Sequence, residues 1–380
     1  MPEAYIVGAV RTPVGTRKGA LADQHPADLA AHVLRELISR TGVDPTAVDD
    51  VIMGCVNAMG AQSGCIGRTA WLSAGLPESV PAVTIDRQCG SSQQALHFAA
   101  QAVMSGAQDL VVAAGVENMA MVPIDANRVV IDSFGHTKYG PAWAERYGDQ
   151  EISQFRGAQL IAEGWGLSRA DLERFALDSH RRAVSAIDDG RFTEQTVSIG
   201  AAHVDEGPRR DTSPEKMAGL SPLRPGWEIT AAVASQLSVG AAALLVASSA
   251  AVRAHGLTPL ARVHAMAVVG SDPVQMLTGP IPATSAVLKR AGLSIGDIDT
   301  FEINEAFASV VLAWAKDTGA SLERTNVNGG AIALGHPLGA TGAVLATKLV
   351  YELQRTGGRY GLQAMCEGGG QANATVLERV

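Results

Sequence analysis

The same order of apolar segments occurs in two parts of this 380-residue chain, and this repeat constrains the fold more than any other feature. Over the first 115 residues, predicted strands alternate with predicted helices whose apolar residues recur at helical spacing. The strands are Ala4–Val10, Asp50–Val56, Ala82–Asp86 and Asp109–Ala114, and the helices are Asp28–Arg40, Ser63–Ala74 and Gly90–Ser105. Such alternation is typical of a parallel sheet with helices on both faces.

The same order returns in the last 120 residues. The predicted strands are Leu260–Val269, Asp299–Ile303, Tyr360–Met365 and Ala372–Glu378, and the helices are Ala283–Ala291, Glu305–Lys316 and Pro337–Arg355. Two strands close this second half, whereas the second closing strand of the first half, Ala241–Val246, follows a long intervening segment. That segment is rich in glycine, proline and charge and contains predicted helices at Ser153–Glu163 and Ser168–Asp188. It is predicted to be an inserted loop or lid domain.

The sequence therefore predicts an α/β fold with two pseudo-repeated βαβαβαββ halves. The N-terminal half comprises residues 1–115 and 234–259, the insertion residues 116–233, and the C-terminal half residues 260–380. Open α/β sheets place their ligand sites at the carboxyl ends of strands. A crevice where the two sets of strand ends meet is the expected functional site.

Composition excludes several function classes. The chain is 47% apolar and 18% charged, with a net charge of −8, which is unlike a protein that binds nucleic acid or an anionic membrane. No apolar run reaches the ~18 residues of a membrane span. Met1 to Glu3 lead directly into a strand pattern and not into a secretory signal. The four cysteines lack the spacing of a zinc site. We expect a cytoplasmic protein with reduced thiols and no metal.

Two of the cysteines stand at strand ends, in turns with few side chains. Cys89 lies in the segment Asp86–Ser92, directly before a helix whose dipole is expected to lower the thiol pKa. Cys366 precedes three glycines, which could form a simple turn or present backbone N–H groups to an oxyanion. We interpret Cys89 as a nucleophile and Cys366 as a separate acid or base, and Cys55 and Cys65 as ordinary structural cysteines.

His336 occupies the position in the second half that Cys89 occupies in the first. It lies between Gly335 and Pro337 at a predicted helix start, in a stretch unusually rich in glycine. No Gly-Lys-Ser/Thr or G-x-G-x-x-G pattern is present, so a nucleotide-binding loop is not predicted. A base for the nucleophilic cysteine is the better role. Asn304 is expected to serve as a helix N-cap, a catalytic group, or both.

Four ordered segments carry a resemblance to a known family. They are Gln88–Ala95, Asn304–Ala308, Asn328–Gly342 and Cys366–Gly370. On these segments the chain resembles the thiolases, the acetyl-CoA acyltransferases, over essentially its full length. Within that family it most resembles the actinobacterial thiolases of steroid degradation.

The resemblance implies a reaction. Cys89 would attack the 3-keto carbon of a 3-oxoacyl-CoA, His336 would take the thiol proton, and Cys366 would protonate the acetyl-CoA enolate that leaves. Coenzyme A would then release the shortened acyl-CoA. One oxyanion site would use His336 and a water on Asn304, and the other the backbone N–H groups of Cys89 and Gly368. The resemblance also implies no permanently bound cofactor, acyl-CoA and CoA as ligands, and a homodimer or homotetramer.

Several positions depart from the family pattern. Ser235, expected to contact pantetheine, survives in a segment that otherwise loses polar groups at Val233 and Val239. Ser153 and Gln154 replace a histidine and a methionine that touch substrate in many members. Glu367 stands where a small or apolar residue is common. Three basic residues in the insertion either meet the CoA phosphates or form a solvated surface; they are Arg209, Arg210 and Lys216.

Three alternatives to a degradative thiolase remain at this point. A biosynthetic, acetoacetyl-CoA-forming thiolase would differ in the side-chain volume around the insertion. A catalytically silent CoA or lipid carrier is disfavoured by the intact Cys89, His336 and Cys366. A ketosynthase on the same fold would use a cysteine and two histidines, which Cys366 and Asn304 disfavour.

Overall fold

The structure, a computed structural model, describes residues 3–380 and contains one mixed sheet of ten strands. The strands are β1 Ala4–Arg11, β2 Gly15–Thr16, β3 Asp50–Gly54, β4 Ala82–Ile85, β5 Leu110–Asn118, β6 Ser238–Ser248, β7 Ala261–Gly270, β8 Thr300–Ile303, β9 Tyr360–Glu367 and β10 Gln371–Arg379. Nine strands run in the order β4-β3-β5-β6-β1-β7-β10-β9-β8, and β2 pairs with β6.

The helices alternate with these strands in both halves, as the repeat predicted. They are α1 Pro26–Thr41, α2 Ile66–Ser73, α3 Ser91–Ser105, α4 Ala126–Ser133, α5 Pro141–Tyr147, α6 Gln154–Gly164, α7 Arg169–Asp188, α8 Pro214–Ala218, α9 Ser249–Ala254, α10 Pro280–Ala291, α11 Ala308–Thr318, α12 Ala331–Leu334 and α13 Leu338–Thr356. Within residues 3–380, no helix is long and apolar enough to cross a membrane.

The two halves use one strand order. The strand order of the first half is β4-β3-β5-β6-β1. In the second half β8, β9, β10 and β7 take the places of β3, β5, β6 and β1, and the counterpart of β4 is only a bridge between Phe301 and Thr325. The halves join where Tyr5 and Ile6 of β1 pair with Arg262 and Ala261 of β7. The α/β fold of two pseudo-repeated halves is thus confirmed, while the assignment of residue ranges to three domains stays a prediction.

The prediction of a parallel sheet is wrong for much of each half. Only the pairs β3/β4, β3/β5 and β8/β9 are parallel. The closing strands β6 and β10 run antiparallel to their neighbours. No helix follows β9, because Gly369 and Gly370 adopt φ values of 85° and 75° and turn the chain directly back into β10. Antiparallel strands can be joined by such a tight turn, whereas parallel strands need a crossover.

Helices α3 and α13 pack against each other on one face of the sheet. Their small buried residues, Ala95 and Ala99 on α3 and Ala343 and Ala346 on α13, belong to one apolar cluster with β1, β5 and β6. Helices α1 and α2 cover the other face of the first half, and α10 and α11 that of the second. The central pair brings the amino ends of α3 and α13 side by side.

The insertion packs on the second half. Helices α6 and α7 form an apolar cluster with α11 that also includes Phe307, Ile332 and Cys366. The inserted segment therefore forms part of the wall around the strand end that carries Cys366.

Candidate active site

Cys89 lies in a tight turn between the end of β4 and the start of α3, and its side chain is partly exposed. Gln88, just before it, has φ 49°, which costs a non-glycine residue about 1 kcal/mol. The turn is held by Ser91, whose Oγ accepts from the Arg87 N–H at 2.9 Å and donates to the Gln88 carbonyl at 2.6 Å. Asp86 accepts the Gln88 N–H at 2.6 Å. The strained turn fixes the nucleophile candidate.

His336 lies two residues before α13, as Cys89 lies two residues before α3. Its N–H donates to Ser238 Oγ at 3.0 Å. Gly335, just before it, has φ 108°, and a Cβ there would collide with Ser238. Only glycine suits that backbone and that space. Ser238 and Gly335 thus place the buried imidazole at the helix start.

Thr341 fixes the tautomer of His336. Its Oγ lies 2.7 Å from His336 Nδ1 and 2.9 Å from the Pro337 carbonyl oxygen. Both contacts are satisfied together when the hydroxyl hydrogen goes to Pro337 and the Thr341 oxygen accepts from Nδ1–H, and we assign the tautomer on that basis. Nε2 therefore carries the lone pair and is the nitrogen that can act as a base.

Asn304 follows β8 and faces that nitrogen. Its Nδ2 donates to His336 Nε2 at 3.4 Å, and its buried Oδ1 has no protein partner. The predicted N-cap role is wrong, because α11 begins at Ala308 and is preceded by Phe307 with no side-chain cap. Asn304 instead donates a hydrogen bond from its side-chain N–H to the imidazole, and its side-chain carbonyl oxygen is left without a protein partner.

Glu305 holds this loop, a role that the sequence did not reveal. Its carboxylate is buried and accepts from Ser179 Oγ at 2.6 Å and from Asn326 Nδ2 at 2.9 Å. The hydroxyl comes from α7 of the insertion, so the loop after β8 is anchored to the inserted segment. A charge adjacent to Asn304 in sequence was the available signal.

Cys366 is buried near the end of β9, opposite Ala372 of β10. Gly368 follows in the β9–β10 turn, where a Cβ would lie only 2.8 Å from Gln88 Oε1. This turn therefore rests against the residue that precedes Cys89. The two thiols share one site although 277 positions separate them in sequence, from 89 to 366.

The amino ends of α3 and α13 are joined by hydrogen bonds. Ser92 Oγ accepts from the Ala343 N–H at 2.9 Å. Buried Glu117, at the end of β5, accepts from the Gly339 N–H at 2.9 Å and from the Val56 N–H at 2.9 Å. These contacts bring the Cys89 and His336 turns to the same end of the helix pair.

The repeat places Glu117 where the second half has Cys366. Gly54 pairs with Gly115 in the first half, and Ile303 pairs with Ala364 in the second. Two residues beyond Gly115 and Ala364 stand Glu117 and Cys366. The sequence pattern did not single out Glu117, whose role follows from this strand register. Residues two positions apart on a strand share a face, so Glu117 lies on the same face as Gly115 and Cys366 on the same face as Ala364.

Burial sets the ionisation of the site. It lowers the pKa of His336 to about 4. It also raises the pKa of Cys89 to about 12, helped by the nearby Glu367 carboxylate. The prediction that the helix dipole lowers this pKa is wrong, because burial outweighs the partial charge of a helix end. Burial, and then Cys89, raise the pKa of Cys366. The resting site therefore holds neutral thiols beside a neutral imidazole.

The three basic residues of the insertion separate in the structure. Arg209 and Lys216 line a pocket of about 190 Å³ together with His180, Ala234 and Gln236. Lys216 also pairs with Asp211 at 2.6 Å. Arg210 is paired with Asp188 at 2.6 Å and does not line the pocket. Ser235 lies between two lining residues, and its N–H donates to the Ala306 carbonyl at 2.9 Å, two residues from Asn304.

Within residues 3–380 no group of three or more potential ligands could hold a metal ion, and all four cysteines are free. The side chains described at this site are two thiols, one imidazole, the Asn304 amide and the Glu367 carboxyl.

Comparison with known proteins decides the family. The N-terminal thiolase domain matches residues 4–250, and the C-terminal thiolase domain matches residues 257–379. The chain belongs to the thiolase family. It is an acyltransferase of that type.

Curated relatives align along the whole chain. A steroid 3-ketoacyl-CoA thiolase, FadA6 of Mycobacterium tuberculosis, is 58% identical and is covered over 95% of its length. A 3-oxoadipyl-CoA/3-oxo-5,6-dehydrosuberyl-CoA thiolase of Escherichia coli is 42% identical and covered completely. A 3-ketoacyl-CoA thiolase of Enterobacter is 41% identical and also covered completely. All three alignments cover this chain in full.

Proposed function

We propose that this thiolase cleaves 3-oxoacyl-CoA with coenzyme A through an acyl-enzyme on Cys89, in lipid or steroid degradation. The observations that support the proposal are the contact of Asn304 with His336, the closeness of Cys89 to Cys366, and the position of the Cys89 and His336 turns at the joined ends of α3 and α13. Two proton transfers at one substrate need two separate acid–base groups, and the site supplies a thiol and an imidazole beside the nucleophile.

Acylation begins with a proton transfer. The Cys89 thiol is neutral at rest, so its proton moves to Nε2 of His336 as sulfur attacks the 3-keto carbon. Nε2 is available for this because Thr341 keeps the other nitrogen protonated. In the cleavage that follows, the protonated imidazole and the Asn304 amide are proposed to face the acetyl-CoA thioester oxygen, which gains charge as the enolate forms.

Cleavage follows at the bond between C2 and C3. Its electrons go to the acetyl-CoA enolate, and the Cys366 thiol donates its proton to C2. In the second stage the CoA thiol gives its proton to the Cys366 thiolate and attacks the Cys89 thioester. Cys89 leaves as a thiolate and recovers its proton from His336. The backbone N–H groups of Cys89 and Gly368 are proposed to bind the thioester oxygen.

Coenzyme A is proposed to enter along the pocket of Arg209 and Lys216. Ala234 and Gln236 line this pocket, and Ser235 between them donates its N–H to the Ala306 carbonyl, two residues from Asn304. Arg209 is exposed and lacks a carboxylate partner within residues 3–380, so its guanidinium is available to a phosphate. Arg210, which the sequence also nominated, is occupied by Asp188.

The acyl group is proposed to be bulky, as in a steroid-derived 3-oxoacyl-CoA. The printed name of the relative at 58% identity is the main support. Ser153 adds to it, because its Oγ caps α6 at Arg156 N–H and donates to Glu151, so it does not reach an acyl chain as a longer residue would. Exposed apolar residues in the insertion, Val129, Val130 and Phe134, offer additional surface to a large substrate.

We further propose a cytoplasmic homo-oligomer. Strand β4 is the edge of the sheet, its Val83 is 42% exposed, and Phe98 of the following helix is 40% exposed. An uncovered strand edge beside apolar side chains suits pairing with a second copy. Sedimentation of the wild-type chain, compared with Val83→Lys, tests this assembly.

Brief exposure to an acyl-CoA, followed by peptide mapping, tests the chemistry. The adduct is expected on Cys89, and Cys89→Ala should lose thiolysis by at least ~10³-fold. A stable adduct on another residue, with Cys89 free, would remove Cys89 from this role. Thiolysis rates across acetoacetyl-CoA, medium-chain and ring-bearing substrates test the acyl preference, and a clear preference for acetoacetyl-CoA would contradict the bulky substrate.

A further inference from the structure

Glu367 is a buried carboxyl group beside the nucleophile that the proposed reaction does not use. It is the last residue of β9, directly after Cys366, and its side chain is fully buried. Neither carboxyl oxygen has a hydrogen-bond partner. Its Oε1 occupies the space that a Cβ on Gly90 would need. The carboxyl therefore lies directly against Gly90, the residue that follows Cys89.

We propose that Glu367 acts through Cys89, as a positioning residue that confines thiolate formation to the enzyme whose Glu367 carboxyl is protonated. This role rests on the proposed function of Cys89. The argument is electrostatic: two acids that touch the same turn in a buried site cannot both be ionised without strong repulsion.

The surroundings of Glu367 favour the neutral acid. Burial raises its pKa to about 8, so it is protonated at neutral pH. Arg87 opposes this effect but forms no ion pair with Glu367; its Nη1 is bonded to Gln371 Oε1 at 2.9 Å and its Nε has no partner. The backbone of Asn373 on β10 favours the charged form weakly. Arg87 and the Asn373 backbone do not outweigh burial, which Asp86 reinforces, so the pKa of Glu367 stays raised.

Titratable groups on several elements around Cys89 affect whether its thiol is ionised. After burial, Glu367 is the largest cause that raises the pKa of Cys89, ahead of Asp86 on the β4–α3 turn and Glu117 on β5. Cys366 on β9 is affected in the same direction by Cys89 and by Glu367. His336 from the α13 turn is neutral. Since Asp86 and Glu117 accept several hydrogen bonds each, Glu367 is the carboxyl whose charge is least compensated.

The sign of the effect can be measured without turnover. Below about pH 8 both wild type and Glu367→Gln present a neutral side chain to Cys89, so the rates at which iodoacetamide alkylates Cys89 should agree. Above that pH the wild type gains a negative charge and the variant does not. The ratio of alkylation rates, variant over wild type, should rise with pH to ~10-fold for each unit by which the charge shifts the Cys89 pKa.

The experiment uses the full-length chain and assigns the adduct to Cys89 by peptide mapping, because Cys65 is also exposed. Asp86→Asn is the matched control: it removes a carboxylate at the same turn while keeping an oxygen for the Gln88 N–H, and its ratio should stay nearly flat. Glu367→Met repeats the test should the amide disturb packing, and thermal unfolding reports folding for each variant.

A rate ratio that is the same at every pH overturns the proposal and leaves Glu367 a packing residue. An equal rise for Asp86→Asn also overturns it, since the effect would then belong to general charge and not to Glu367. Neither outcome bears on whether Cys89 forms the acyl-enzyme, because alkylation does not require a substrate.

Discussion

Thr341, one helical turn after His336, accepts the hydrogen bond of the imidazole Nδ1 at 2.7 Å and donates its own hydrogen to Pro337. This arrangement favours the tautomer that carries its hydrogen on Nδ1. Thr341→Val should therefore lower kcat by about 10- to 100-fold, as loss of an orienting partner does elsewhere. Thr341→Ser keeps the hydroxyl and should retain most activity. Similar losses in both variants would assign Thr341 a packing role only.

Cys366 and Cys89 should separate kinetically. Cys366→Ala should block cleavage of a 3-oxoacyl-CoA, because the enolate then lacks its proton donor. Acylation of Cys89 by a plain acyl-CoA, where the leaving group is a thiolate, should persist. The measurement compares product formation with adduct mass on Cys89. Equal loss of both reactions would show that Cys366 serves both steps or supports the fold.

The acylation rate should begin to fall only at a low pH. His336 must be neutral to accept a proton, and burial lowers its pKa to about 4, so it stays neutral well below the ordinary pKa of about 6.5. The single-turnover acylation rate should therefore hold down to about pH 5 and fall as the pH approaches 4. An acid limb centred near 6.5 would mean that the imidazole is better solvated than its burial indicates.

Native His336 and the unfolded chain should also differ in proton binding. Between about pH 6.5 and pH 4 the unfolded histidine is protonated and the native one is not, so the free energy of unfolding should fall as pH is lowered through this window. His336→Asn removes that contribution. Denaturant unfolding of both proteins at several pH values checks it, and parallel curves for the two proteins would contradict it.

Gly90 tests the contact between the nucleophile turn and Glu367. Its φ of −86° suits any residue, so Gly90→Ala adds only a Cβ, which would collide with the carboxyl. Activity should fall at least ~10-fold through displacement of Cys89. Glu367→Ala in the same chain should restore part of it. Gly164→Ala is the control, because nothing lies within 4 Å of its Cβ position, and it should be neutral or slightly stabilising.

Arg209 and Arg210 form a matched pair for the CoA site. Arg209→Ala should raise the KM for CoA by about 5- to 10-fold, equivalent to ~1–1.4 kcal/mol, since it removes a charged donor that lines the pocket. Arg210→Ala removes an arginine already paired with Asp188 and should change KM less than ~2-fold. A larger rise in the KM for CoA in Arg210→Ala than in Arg209→Ala would place the phosphate site at Arg210 instead.

Much of the site could be predicted from sequence because its residues stand at strand ends next to glycine-rich turns. Those local patterns nominate Cys89, His336 and Cys366, and the duplicated order of elements predicts that they meet; their catalytic roles stay a prediction. The helices of the insertion were also located to within a few residues at α6 and α7.

Other features depend on long-range contacts that a local pattern does not contain. The ionisation of Cys89 follows from burial and from Glu367, which arrives from the far end of the chain. Asn304 looked like a helix cap because three further loop residues before α11 are not distinguishable from helix by periodicity. Arg210 looked available because its partner, Asp188, lies on another helix.

The short pairing of β1 with β7 has a consequence for how activity and integrity relate. Cys89 belongs to the first half of the chain, whereas His336, Asn304 and Cys366 all belong to the second, and the strands that join the halves meet at only two residue pairs. The packing of α3 against α13 therefore sets the distance between the Cys89 sulfur and the His336 imidazole. Because α13 also packs on β1, β5 and β6 of the first half, this helix packing and not the short strand pairing holds the junction, so a displacement of α13 should abolish enzyme activity while far-ultraviolet circular dichroism still reports intact helices.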